Sequence, residues 1–550
     1  MDRREFLAAS ALAAAVDPLR RLVPAVGTTL HDALVDVRAT ARVLHTTDDA
    51  LDDLTMLRAQ SEIAAGRLTS RALTEHYLMR IRTLDADGPR VNSVIEVNPD
   101  ALTRADAADA ERASGRALHP LHGMPILIKD NIDTGDRMST SAGSLALAEH
   151  RARRDATVIQ RLRATGAVII GKTNLSEWAN FRASHSSSGW SGRGGQTKNP
   201  HVLDRSPCGS SSGSGAAVAA DFCIAAVGTE TDGSVVCPAS LNGIVGLKPT
   251  IGLVSRSGII PISASQDTAG PMARTVRDAA LLLNGMVGRD ATDAAMRSTP
   301  ATLPTDYTRT LDVDGLKGMR IGVARNYFGF DSRVDVLMED AVRLMRDRGA
   351  VIIENANVPN AERYGREEFE VLLHEFKAGI NAYLGSLPAS VPVHSLAELI
   401  LWNEKHSDRE LQWFGQETFT QAQKRGPLSS KAYRTARETC LRLSRREGID
   451  AVVRRTRCDV LVGPTGGPAW VIDLVTGDHF GGGVSTAPAV AGYPHLTVPA
   501  GRVSGLPVGI SFFGPAWSEP QLFRAGFAFE QATAHRVRPS FMPALGATPR

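Results

Sequence analysis

Short apolar runs alternate with stretches of helical spacing along most of the chain, and this alternation restricts it to layered α/β architectures with a largely buried sheet. Residues 124–129, Met-Pro-Ile-Leu-Ile-Lys, read as a buried strand ending in a charge. Helical spacing over 156–164 is followed by Gly166 and the apolar run 167–170. Further runs stand at 224–227, 320–324, 460–462, 496–498 and 508–512, and helical patterns cover 54–66 and 71–84. No repeat period divides the 550 residues, so one large elaborated domain is expected, with a central mixed sheet covered by helices on both faces. The stretch 330–450 is helical and rich in Arg and Glu. It reads as a peripheral layer whose charges are solvated faces.

Charge and cysteine usage narrow the function. Lys and Arg number 62 against 59 Asp and Glu, a formal net charge of +3, which is no basic field of the kind nucleic acid requires. The cysteines at 208, 223, 237, 440 and 458 are widely spaced, with no C-x-x-C pair. The 14 histidines form no H-E-x-x-H. Neither a metal centre nor a disulfide scaffold is expected, and no cofactor motif appears. At the start, Arg3-Arg4 precede Phe6-Leu7 and a short Ala-rich apolar run to Val16, too short for the ~20 residues that span a bilayer. Residues 1–25 therefore read as a twin-arginine export signal and 26–50 as a linker, with a periplasmic or extracellular destination; an N-terminal amphipathic helix is the alternative. No later segment has transmembrane length.

The densest chemistry lies between Ser184 and Thr250. Cys208-Gly209-Ser210-Ser211-Ser212-Gly213-Ser214-Gly215 runs into an Ala/Val helix expected from Ala216, so a flexible interdomain linker is the weaker reading. The string Gly209-x-Ser211-x-Gly213 has no strand before it, as a nucleophile elbow needs, and no phosphate-binding or dinucleotide motif is present. A second loop, Gly228-Thr229-Glu230-Thr231-Asp232-Gly233-Ser234, follows an apolar strand. A serine placed after such a Gly-containing turn exposes its hydroxyl while successive backbone N–H groups converge on one spot.

These ordered segments resemble the amidase signature family. Gly209-Ser210-Ser211, Thr231-Asp232-Gly233-Ser234 and Gly246-Leu247-Lys248-Pro249-Thr250 match in order, and Gly123-Met124-Pro125-Ile126-Leu127-Ile128-Lys129-Asp130 matches the upstream lysine motif. The likeness covers about residue 50 to residue 540, within an amidase domain placed at 51–545. It is strongest to bacterial peptide amidases, through Ser234-Val235-Val236-Cys237-Pro238-Ala239, the segment from Gly463 to Trp470, and Ala491-Gly492-Tyr493-Pro494. The resemblance implies Ser234 as acyl-forming nucleophile, Ser210 as bridging serine, Lys129 as base and a cis peptide at Gly209-Ser210. The N–H groups of Thr231, Asp232, Gly233 and Ser234 would form an oxyanion hole.

The chemistry is coherent by itself. A serine hydroxyl needs a base within reach, and a lysine serves only if burial lowers its pKa, which Ile126, Leu127 and Ile128 would accomplish. Asp130, pointing to the opposite face, need not hold Lys129 charged. Asp232 is open between turn former and substrate contact. His122, His185 and His201 could offer a Ser–His pair, though none is required, and Cys208 and Cys237 read as small packing thiols. Many family members carry Arg two residues beyond the nucleophile. Val236 stands there instead, which points away from the glutamine-hydrolysing subunit of tRNA amidotransferases. The implied function is hydrolysis of a carboxamide, the C-terminal amide of peptides or acyl-amino acids, with release of ammonia. Aryl or aliphatic acylamidase activity and acyl transfer to an amine are the alternatives. A non-catalytic binding role on the same scaffold has no need of Lys129, Ser210 and Ser234 together. Oligomeric state is not legible.

Overall fold

Strand β2 (Pro125–Lys129), β3 (Val168–Thr173) and β6 (Ala225–Glu230) lie side by side in parallel, and every residue of the three is buried. Because alternate residues of a strand point to opposite faces, complete burial means that both faces are covered. The computed structural model describes residues 51–115 and 119–546, and the chain from Asp53 onward forms one compact α/β unit. The export-signal and linker readings fall on residues 1–50, outside the described residues.

The remaining strands are β1 (Val94–Val97), β4 (Trp190–Ser191), β5 (Gly195–Gln196), β7 (Val245–Lys248), β8 (Thr268–Ala273), β9 (Arg320–Val323), β10 (Val351–Ile353), β11 (Val460–Pro464), β12 (His495–Val503) and β13 (Leu506–Phe513). Eleven of them make one mixed sheet in the order β1-β3-β2-β6-β8-β7-β12-β13-β11-β9-β10, while β4 and β5 pair separately. Helix Ser212–Ala219 packs on β2, β3, β6 and β8, and helix Val236–Leu241 on β7, β12 and β13. Among the described residues no helix is long and apolar enough to cross a membrane.

Two expectations need correction. Residues 330–450 are not a purely helical, solvated layer. They contribute the edge strand β10 between helices Ser332–Asp347 and Gly365–Gly385, and the second helix buries Glu368 and Glu375. Leu373, Phe376 and Ile380 of that helix pack against Trp178, Phe181 and Ile260, so its inward face must also accommodate the acids interspersed among them. Glu375 does so by accepting from the hydroxyls of Ser263, Ser265 and Tyr433.

The second correction concerns the thiols. Cys208 and Cys237 form a disulfide, their Cα atoms 6.0 Å apart, whereas Cys223, Cys440 and Cys458 are buried and free. Spacing of 29 residues along the chain carries no signal of this pairing. It arises because the loop before helix Ser212–Ala219 folds back onto the start of helix Val236–Leu241.

Candidate active site

The register of β2 against β6 pairs Ile128 with Val227, so Lys129 emerges at the carboxyl end of β2 beside the second half of β6. Its side chain is fully buried. Nζ donates to Ser210 Oγ at 2.8 Å, to Thr229 Oγ1 at 2.8 Å and to the Thr229 carbonyl at 3.3 Å. Burial lowers the lysine pKa from 10.5 to about 7, opposed by the charges of Asp267 and Glu230. Asp130 turns away from it, to the Ser141 hydroxyl and toward Lys172 and Arg193.

Ser210 follows a cis peptide from Gly209. The next residue clamps the loop: Ser211 donates its N–H to the Ser234 carbonyl at 3.1 Å, and its hydroxyl donates to the Thr229 carbonyl at 3.0 Å while accepting from the Thr229 N–H at 3.1 Å. Ser211 therefore fastens the Ser210 loop to both the lysine's partner and the Ser234 turn. No hydrogen bond joins the Ser210 and Ser234 hydroxyls among the described residues. Such bonds are often long in ligand-free enzymes and tighten with substrate.

The turn before Ser234 depends on Gly233, whose φ of +77° favours glycine. Beyond it the Glu230 carboxylate accepts from the N–H groups of Val235 (2.7 Å) and Val236 (3.0 Å), which pins the start of the following helix. Among the described residues no acceptor takes the N–H groups of Thr231, Asp232, Gly233 or Ser234, so these four donors remain available at the turn. Lys248, buried and lowered by that burial to about 8, faces Glu230 and Glu519. Asp232 accepts from Thr486 Oγ1 at 2.7 Å. Burial raises its carboxyl and that of Glu368, and Glu368 rises well beyond the usual range because Asp232 also faces it.

A cavity of about 300 Å³ opens over this turn. Gly209, Asp232 and Gly233 line it together with Val236 and the Cys208–Cys237 disulfide. Trp470, Asp478 and Phe480 line it as well. A second cavity, about 380 Å³, reaches Asn131 and Thr229 behind the turn and is walled by Ile260, Pro261 and Leu428.

Lys129 and Ser210 are thus in direct contact, and Ser234 is held to their loop through Ser211. No histidine bonds to either serine among the described residues: His201 Nε2 meets the Asn242 carbonyl, and His122 meets Glu111 and Arg112. Residues missed from sequence are Thr229, Asn131, Ser211, Glu368 and Phe480. Thr229 and Ser211 adjoin recognised motif residues and could have been read as their supports. Glu368 and Phe480 are remote in sequence and carry no signal.

The Amidase family model matches residues 72–523. The chain belongs to the amidase family. A solved peptide amidase from Stenotrophomonas maltophilia is 50% identical, with a TM-score of 0.84 over 89% of this chain and 99% of that one. A probable amidase of Arabidopsis thaliana is 43% identical over 86% of this chain and 89% of its own length. A solved amidase family protein from Bacillus anthracis is 36% identical, with a TM-score of 0.82 over 90% of this chain and 94% of that one. This amidase therefore hydrolyses amide bonds on a small-molecule or peptide substrate.

Proposed function

We propose that this amidase removes ammonia from the C-terminal carboxamide of peptides or acyl-amino acids through an acyl-enzyme on Ser234. The observation that carries the reading is the buried Lys129 Nζ 2.8 Å from Ser210 Oγ, with a pKa of about 7 that leaves a large neutral fraction at neutral pH. Neutral Lys129 draws a proton from Ser210 as Ser210 accepts the Ser234 proton. Ser234 Oγ then bonds to the carboxamide carbon, and the oxyanion is met by the N–H groups of the 231–234 turn. The C–N bond breaks, the proton returns through Ser210 to the nitrogen, and ammonia leaves. Water, deprotonated by the same relay, attacks the ester; the acid departs and Ser234 regains its hydrogen.

Two features favour a neutral carboxamide. Asp232 and Asp478 line the cavity and no cationic residue does among the described residues, so a free carboxylate is disfavoured where an amide is tolerated. The solved relative at 50% identity is itself a peptide amidase. The test compares an amidated dipeptide, the same peptide extended by one residue, glutamine and an anilide at equal concentration. The amidated dipeptide is expected to turn over fastest, by about tenfold or more in kcat/KM. Faster cleavage of the anilide would make the protein an aryl acylamidase. A preference for glutamine would overturn the substrate assignment while leaving the serine and lysine roles standing.

We further propose that residues 1–25 direct export by the twin-arginine route. Replacing Arg3 and Arg4 together by lysine is expected to retain the protein in the cytoplasm with its hydrolase activity intact. Identical fractionation of both forms would remove the export reading.

A further inference from the structure

Between β11 and helix Thr486–Ala491 the chain makes a long excursion, residues 465–485, that carries Trp470 and Phe480 into the wall of the cavity over Gly233. Their rings meet edge to face, centroids 6.2 Å apart at 81°. The excursion is anchored at several points. The Trp470 carbonyl accepts from the Ser206 N–H, and the N–H of Ile472 donates to the Asp204 carbonyl. The Asp478 carboxylate accepts from the Ser188 N–H at 2.9 Å, the Ser188 hydroxyl at 2.5 Å and Trp470 Nε1 at 3.1 Å. Gly483 closes it at a φ of +138°, where a Cβ would stand 2.3 Å from the Thr465 carbonyl oxygen.

The excursion is therefore anchored on both sides of Phe480, yet its ring is left 47% exposed beside the cavity. A large ring held in water by an anchored loop costs hydrophobic free energy that a bound apolar group recovers. In the carboxamide reading the leaving group is ammonia, which offers nothing for such a wall to hold. What remains is the acyl side of the scissile bond.

We propose that Trp470 and Phe480 form an aromatic subsite for the side chain of the residue that bears the carboxamide, selecting large apolar residues. Asp232 and Asp478 in the same cavity disfavour acidic ones. This assignment rests on the carboxamide reading and names its substrate class.

The test measures ammonia release from N-acetyl-phenylalanine amide, N-acetyl-glycine amide and N-acetyl-glutamate amide. The wild-type phenylalanine-to-glycine ratio of kcat/KM is expected at about tenfold or more, since a single methylene in an apolar pocket is already worth about 10–200-fold, with the glutamate amide slowest. Phe480→Ala is expected to lower the phenylalanine-to-glycine ratio about fivefold or more, and Phe480→Leu, which retains apolar bulk, by less. Val475→Ser, exposed on the same loop, is the control and keeps the wild-type ratio. A wild-type ratio near one, or a ratio unchanged in Phe480→Ala, would overturn the subsite while leaving carboxamide hydrolysis intact. No ammonia from any of the three amides, with an anilide still cleaved, would overturn the carboxamide reading and the subsite together.

Discussion

Ser234→Ala is expected to lower kcat/KM for an amidated dipeptide by about 10⁴-fold or more, because no acyl-enzyme can form without the hydroxyl. The substitution removes one oxygen from a residue whose side chain makes no hydrogen bond among the described residues. The turn itself rests on the Gly233 conformation, the Ser211 N–H on the Ser234 carbonyl and the Glu230 carboxylate on the next two N–H groups, all of which survive. Stability and substrate binding should therefore change little, and the loss should fall on kcat. A variant that retained the wild-type rate would remove Ser234 from the mechanism.

Lys129→Met is expected to cost about 10²–10⁴-fold in kcat, the range for a lost general base. It also changes how stability depends on pH. The lysine pKa falls from 10.5 to about 7 on folding, so between those values the unfolded chain holds a proton that the native protein does not. Stability of the wild type relative to Lys129→Met should therefore rise with pH across that window, by up to about 1.4 kcal/mol per unit, and level off below about 7 and above 10.5. Urea unfolding of both proteins at about pH 7, 8 and 9, inside that window, measures the slope. Equal pH dependence in the two would mean that Lys129 is charged in the native state at neutral pH, and that it is no base. In the wild type, kcat/KM should climb through about pH 7 and then flatten, with no limb assignable to a histidine.

Much of the frame that positions these groups was legible in the sequence. The apolar runs at 124–129 and 224–227 mark two adjacent central strands because parallel strands buried on both faces are continuously apolar. The Gly-punctuated loops mark the turns between them. β8 was not legible, since Thr268–Ala273 contains Gly270 and Pro271 and reads as a turn. It is nevertheless a central strand, and Gly270 is required where a Cβ would stand 2.1 Å from the Leu247 carbonyl oxygen. β10 is a three-residue edge strand within a helical region, too short for its period to register.

At the site, Lys129, Ser210 and Ser234 stand out because they lie in ordered local motifs. The contacts that support them are long-range. Glu368 reaches Asp232 from a helix remote in the chain, and its burial is invisible in a segment whose composition looks solvated. The Cys208–Cys237 bond has the same character, since an odd cysteine count says nothing about which two meet in space. Acids inside 330–450 read as surface because charge is ordinarily solvated. Here serine and tyrosine hydroxyls and a glutamine amide satisfy them instead.

The most direct measurement of the acyl-enzyme account is intact-mass and peptide mapping of the protein quenched during turnover of an amidated dipeptide, with ammonia followed in the same samples. The account predicts one acyl group per chain, mapped to Ser234, with ammonia released before the acid product. An adduct on any other residue, or ammonia and acid appearing together with no adduct even when deacylation is slowed at low pH, would contradict it.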